Sequence, residues 1–394
     1  MSLVLTNVRQ VDGSVVAVRT EGKTITAVGP EVSAAGGDML IDGKAAFVVP
    51  GLVDCHVHLD KTYWGMAWRP HEAGADIQDR VRTERRQRRQ LDKSVEVRAM
   101  ALLQTMLDNG TTRLRTHVDI DSDVGLTQLE AVLAARQAVA GQMEIQIVAF
   151  PQSGVVREPG MADLLAAALS AGADLIGGVD PEGFDHDVNG QLDILFDLAE
   201  ATGKGLDIHL HDGGESGACQ IDQIVERTLA LGLSGKVAIS HGFCLGQVGA
   251  SRLAGLADGL ARAGIAIISH GGAAATPPPF RRLYEAGVVV AAGSDNIRDG
   301  WSPFGNGDMV ERAMLLAWRS GFRRDEDIAF ALDMATGLAV RALGMTDYGL
   351  RPGCRADLVT LPGETLAEAV VSRRARGVIV RHGGLHQTRP DSIR

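Results

Sequence analysis

Seven of the eleven histidines stand directly behind short apolar runs of the sequence: His56 and His58, His117, His209 and His211, His241, and His270. Histidines scattered over a surface would not gather in this way. In His56-Val-His58 both imidazoles share one face if the segment is a strand, because side chains two apart point the same way. Such a pair is a bidentate metal seat, although taken alone it is often incidental. A third histidine from a later run, with Asp295 behind the last run, would supply three nitrogens and a carboxylate and leave a position for water. The plain alternative is a set of solvated loop histidines.

Strands must carry these residues, and the apolar runs supply them: Phe47 to Val53, Arg113 to Val118, Ile145 to Phe150, Asp174 to Val179, Gly205 to Leu210, Lys236 to Ser240, Gly264 to Ser269 and Val288 to Ala292. Amphipathic patterns lie between them, at Val95 to Leu107, Leu126 to Val139, Met161 to Ala171, Leu192 to Thr202, Ile221 to Leu231 and Arg252 to Ala263. Eight strands alternating with helices predict an α/β fold, a parallel (β/α)8 TIM-like barrel whose chemistry sits at the C-terminal strand ends. A doubly wound open sheet is the runner-up, but no G-x-G-x-x-G or G-x-x-x-x-G-K-[ST] supports nucleotide binding there. The chain ends read differently. Short alternating runs with turns at Asp12-Gly13, Glu21-Gly22 and Asp42-Gly43 are hairpin grammar, repeated beyond Gly349. Residues 1–46 and 347–394 are therefore expected to form a small β-sandwich domain, and 47–346 the barrel.

The chain has 394 residues, 45% of them apolar and 22% charged, which is the profile of an ordered globular protein. Its net charge of -10 argues against nucleic acid or an anionic membrane as the main partner and leaves small molecules. The run from Arg80 to Arg89 does not reverse this, because Asp79, Glu84, Asp92 and Glu96 lie in or beside it; a solvated helix or a subunit contact is expected. Four scattered cysteines without a C-x-x-C pair suggest neither a disulfide framework nor a cysteine zinc module. No export segment and no run of about 18 apolar residues is present, so a cytoplasmic protein is expected.

Several motifs resemble the amidohydrolase superfamily: Phe47-Val-Val-Pro-Gly-Leu-Val-Asp-Cys-His-Val-His-Leu-Asp-Lys, His209 alone at strand five, Ser240-His241, Gly293-Ser-Asp295 and the C-terminal Gly349-Leu-Arg-Pro-Gly-Cys-Arg-Ala-Asp-Leu-Val. Arg115-Thr-His-Val-Asp119, Ile147-Val-Ala-Phe-Pro-Gln152 and Trp301-Ser-Pro-Phe-Gly305 make it similar to the cytosine-deaminase-like group. The resemblance implies a hydrolase that releases ammonia or a small amine from a nitrogen heterocycle. Some superfamily members bridge two metals with a lysine at strand four; Gly177-Gly-Val-Asp180 has none. One divalent cation is thus implied, held by His56, His58, His209 and Asp295, with zinc favoured and Fe(II) chemically suited too. The ion would lower the pKa of its water to about 7, Asp295 would serve as general base, and His241 would hold the hydroxide and the tetrahedral centre.

Cytosine deaminases of this group carry His-x-x-Glu at strand five, where this chain reads His209-Leu-His211-Asp212. That pattern, with Lys61 and Asp180, is more similar to the triazine-degrading members that release an alkylamine. His211 is favoured over Asp212 as the acid facing a ring nitrogen. Lys61, Asp180 and Gln152 are candidate substrate contacts, the first two on opposite loops over one mouth. His117 and His270 are weaker candidates, one of which Asp119 would orient. Aromatic residues make up only 4% of the chain, yet Trp64, Trp301, Phe150, Phe184 and Phe243 all follow strand ends, which suits a planar ring. A homo-oligomer is expected. The competing functions are ring opening of a cyclic amide, which in relatives usually needs a second metal, and a non-catalytic metal-binding barrel.

Overall fold

The computed structural model describes residues 2–72, 74, 76–272 and 275–386, so Met1 and residues 387–394 of the expected terminal domain lie outside it. At the amino terminus the turns work as the sequence predicts. β1 (Ser2–Arg9), β2 (Val15–Glu21) and β3 (Thr24–Gly29) form an antiparallel meander, and β4 (Met39–Asp42) runs parallel to β1. Gly13 and Gly22 occupy the left-handed region in the two turns, at φ 86° and 56°.

The expected first barrel run, Phe47 to Val53, is in fact two strands in two sheets. β5 (Phe47–Pro50) pairs with Leu358–Leu361 of the terminal sheet, whereas β6 (Leu52–Val57) opens the barrel. The handover falls at Gly51, where a Cβ would stand 2.2 Å from Thr112 Oγ1. Only glycine lets the chain pass this close to the neighbouring strand.

From there the barrel strands follow in sequence order and pair in parallel: β7 (Thr111–Asp119), β8 (Glu144–Phe150), β9 (Leu175–Val179), β10 (Gly205–Leu210), β11 (Val237–His241), β12 (Ala266–Ser269) and β13 (Val290–Ala292). Two helices follow β6, α1 (Ile77–Arg88) and α2 (Val95–Asp108). Single helices follow the next strands: α3 (Thr127–Ala138), α4 (Met161–Ala171), α5 (Val188–Thr202), α6 (Gly214–Ala230), α7 (Ala250–Ala263) and the short α8 (Phe280–Glu285). Behind β13 come α9 (Met309–Arg319), α10 (Asp325–Asp333) and α11 (Gly337–Leu343). The chain then returns to the terminal sheet through β14 (Leu358–Leu361), α12 (Leu366–Ser372), β15 (Ile379–Arg381) and β16 (Gly384–Leu385).

Local chemistry sets several boundaries. Asp187 starts α5 four residues before the periodic pattern by accepting from Gly190 N at 2.8 Å. Gly203 and Gly264 end α5 and α7 in the left-handed conformation. β7 is buried along its whole length although only Leu114 and Val118 in it are apolar. Leu114 and Val118 pack outward on the main core, while Arg115 and His117 reach Asp207 on β10 and Asp119 reaches Lys61 behind β6. The terminal sheet has its own core of Leu3, Leu5, Val18, Ile25, Val48 and Leu358. Among the described residues no helix is long and apolar enough to cross a membrane.

Candidate metal centre and barrel mouth

Barrel closure is also the assembly of the site. Asp295 donates its backbone N–H to the carbonyl of His56 at 2.7 Å, forming a parallel bridge between Val57 and Asp295. First and last strand ends are thereby joined where their ligand side chains emerge. His56 Nε2 lies 3.3 Å from His58 Nε2, and Asp295 Oδ1 lies 3.5 and 3.4 Å from the same two nitrogens. Four ligands about 2.1 Å from one ion in a tetrahedral array stand about 3.4 Å apart, so these spacings suit a shared cation. A nitrogen of His209 falls within 4.8 Å of those of His56 and His58, and His241 groups with His56 and Asp295 in the same way.

The donor set fits a cation in its protonation as well. Burial, reinforced by neighbouring imidazoles, holds His209, His241 and His117 well below the ordinary histidine range, and burial beside Lys61 brings His58 down to about 3. Neutral imidazole is the form that binds a metal. Both ring nitrogens of His209 and His241 are buried without a hydrogen-bond partner, a costly state that an ion would relieve at one nitrogen of His209. Asp295 stays well below the carboxylate range against burial, because His270 Nδ1 at 3.0 Å and the His56 and His58 rings all stabilise its charge.

Backbone strain marks the same strand ends. Asp180, His241 and Asp295 take positive φ values of 33°, 71° and 61°, each costing roughly 1–3 kcal/mol for a non-glycine residue. Beneath the ligands a buried chain fixes one imidazole. Arg115 Nη1 donates to Asp207 Oδ2 at 2.8 Å, Ser240 Oγ donates to Asp207 Oδ1 at 2.6 Å, and His56 Nδ1 meets Ser240 Oγ at 2.8 Å. With a proton on Nδ1, the Nε2 lone pair is left for the metal. Asp207 escaped sequence reading, although its place two before His209 on one strand was a usable signal. His117 stacks on His56 at a ring distance of 4.0 Å, beneath the ligands.

At the mouth, Lys61 and Asp180 each take partners of their own. Lys61 is buried and lies 3.0 Å from Asp119 Oδ1 and 3.5 Å from Glu84 Oε2, and it donates to Gln152 Oε1. Asp180 instead accepts from His211 Nδ1 at 2.8 Å, and its charge raises the His211 pKa although burial opposes this. Asp212 accepts from Gly183 N and Gln220 Nε2, both at 2.9 Å, and so is engaged in holding loops. Trp301 joins the Lys61 cluster, 5.5 Å from the ammonium, but Trp64 does not. Its indole N–H donates to Thr105 on α2 at 2.8 Å. Phe150 stacks on His209 at 4.1 Å and Phe243 lies 5.5 Å from His241, so part of the expected aromatic wall is present.

Helix α1 carries the Arg80 to Arg89 run, with the Arg82, Arg86 and Arg89 side chains exposed on its solvated side. Its other side is buried at Val81, Thr83 and Glu84, and Glu84 meets Gln152, Trp301 and Lys61 of the mouth. Arg88 pairs with Asp121 at 2.8 Å and Arg85 with Asp123 at 3.0 Å, both in the loop after β7. The arginines thus pin the helix over the barrel.

Eight parallel strands with a histidine–aspartate cluster at their C-terminal ends define a metal-dependent hydrolase barrel. The chain belongs to the amidohydrolase family, whose model matches residues 39–382. It is 34% identical over 353 residues to N-isopropylammelide isopropyl amidohydrolase of Pseudomonas sp. (strain ADP), covering 87% of this chain and 86% of the relative. The solved N-isopropylammelide isopropylaminohydrolase from Burkholderia multivorans is 44% identical, covers 98% of both chains and superposes with a TM-score of 0.94. The 5-methylcytosine deaminase of Klebsiella pneumoniae, solved with phosphonocytosine, shares 26% identity over 100% of both chains with a TM-score of 0.86.

Proposed function

We propose that this chain hydrolyses a carbon–nitrogen bond of a pyrimidine or s-triazine type ring, releasing ammonia or a small alkylamine, with one divalent cation per chain. The carrying observation is the convergence of His56, His58 and Asp295 at spacings of 3.3, 3.5 and 3.4 Å, with His209 beside them. Zinc is favoured over Fe(II) from the ligand types. The relatives named above act on a triazine and on a cytosine derivative, which supports the substrate class.

Bound there, the cation would acidify a water to near-neutral pKa and polarise the ring carbon. Asp295 accepts the water's proton and passes it to the departing amine, with His270 at 3.0 Å holding its second oxygen. His241, whose ring lies 5.1 Å from those of His56 and His209, flanks the attacked carbon. His211, oriented through Nδ1 by Asp180, presents Nε2 to a ring nitrogen that gains charge as the aromatic system breaks. Lys61, Gln152 and Trp301 bind the ring's polar edge.

The test is a screen of the zinc-loaded and iron-loaded protein against aminopyrimidines, alkylaminotriazines and pterins for amine release, with metal content measured in parallel. One ion per chain with amine release is expected. Two ions per chain with ring opening would favour a cyclic amide hydrolase instead. Loss of turnover in His211→Ala is expected; normal turnover would move the acid role to Asp212. A homo-oligomer in the cytoplasm completes the proposal, checked by light scattering and fractionation.

A further inference from the structure

Glu84 belongs to none of the strand ends that carry the metal centre, yet three polar side chains of the mouth meet on it. Its Oε2 accepts from Gln152 Nε2 at 2.6 Å and from Trp301 Nε1 at 2.7 Å, and Lys61 Nζ lies 3.5 Å away. These partners come from the ends of β6 and β8 and from the loop after β13. The Glu84 side chain is only 5% exposed, so water cannot take over these contacts.

Charge fixes the Gln152 amide in one orientation. Lys61 donates to its Oε1, while its Nε2 lies 2.6 Å from Glu84 and 3.3 Å from Asp119. Turned over, the amide would set N–H groups against an ammonium and a carbonyl against two carboxylates. Glu84 reaches this point because the Arg88 and Arg85 pairs hold α1 over the mouth.

We propose that Glu84 is a positioning residue for the heterocycle, holding Lys61, Gln152 and Trp301 in one arrangement and thereby setting ring binding and not the hydrolytic step. The inference rests on the function proposed above. Glu84→Gln would turn a shared acceptor into a group with its own N–H donors facing three donors. Glu84→Asp keeps the charge on a shorter stem.

Two measurements test it. In steady-state kinetics on a heterocycle that the wild type hydrolyses, Glu84→Gln should raise KM about tenfold or more with kcat within about threefold, and Glu84→Asp should recover part of the loss. Metal content should be unchanged. A fall in kcat at constant KM, or no change in either, overturns the proposal. The second readout needs no turnover: the Trp301 emission, obtained as the difference between wild type and Trp301→Phe, should shift when Glu84→Gln removes the carboxylate from the indole N–H. An unchanged emission overturns the proposal as well. Absence of any amine release by the wild type would refute the proposed reaction, while the emission still decides whether Glu84 holds the mouth.

Discussion

Burial among other imidazoles holds His209 and His241 well below the ordinary histidine range, which favours the neutral form that ligand chemistry would require of His209. His209→Ala should therefore lose bound metal and turnover together, read by metal analysis and amine release. Asp295→Asn should lower kcat by roughly 10²-fold or more with the fold intact by circular dichroism; full activity would refute the base assignment. Asp299 offers a pH test away from the ligands. Burial, despite hydrogen bonds from Asn296 Nδ2 and from the backbone N–H groups of Trp301 and Ser302, pushes its carboxyl up to about 7 from an ordinary 3.8. A carboxyl raised in the folded state favours folding below its ordinary pKa, and that contribution is lost as pH rises towards 7. Asp299→Asn should flatten this part of the profile, gaining thermal stability relative to wild type between about pH 4 and 7. Parallel profiles would show that Asp299 ionises normally.

The element that matters most is the seam between β6 and the segment behind β13. A Cβ at Gly293 would stand 2.5 Å from His56 Cβ, 2.9 Å from His56 O and 3.0 Å from His56 N, so most of the clash is with backbone. Gly293→Ala should push the two strand ends apart, loosening the His56, His58 and Asp295 cluster. Expected are a metal affinity weaker by about tenfold or more, by analogy with the loss of groups that orient ligands, and a lower melting temperature. Unchanged affinity in competition with a chromophoric chelator would show that the seam does not hold the site. Helix α1 is the second such element. Its arginines read locally as a solvated face, but acidic residues of another loop turn Arg85 and Arg88 into anchors.

For the whole molecule, the proposed ligands come from the first, fifth and last strand ends, so a bound ion would be coupled to barrel closure. Removing the metal by dialysis against a chelator should lower the melting temperature, and restoring it should raise it with concentration, because an ion that binds only the folded state stabilises it by mass action. No shift would mean that the centre is empty in the native protein. Much of this architecture was legible in the sequence. Apolar runs and helical periods span only a few residues, so they announced seven of the eight barrel strands and, behind them, the histidines and Asp295 that converge. The first strand misled, because a continuous apolar run does not reveal that Gly51 passes the chain from one sheet to another. Nor could local pattern show that Glu84 meets Gln152 68 residues away and Trp301 217 residues away. Residue types and their order along the chain determined the barrel and the histidines and aspartate gathered at its strand ends. Which groups pair within the mouth was decided by tertiary structure, because in a buried, low-dielectric space each charge takes whichever partner the closing elements bring within reach.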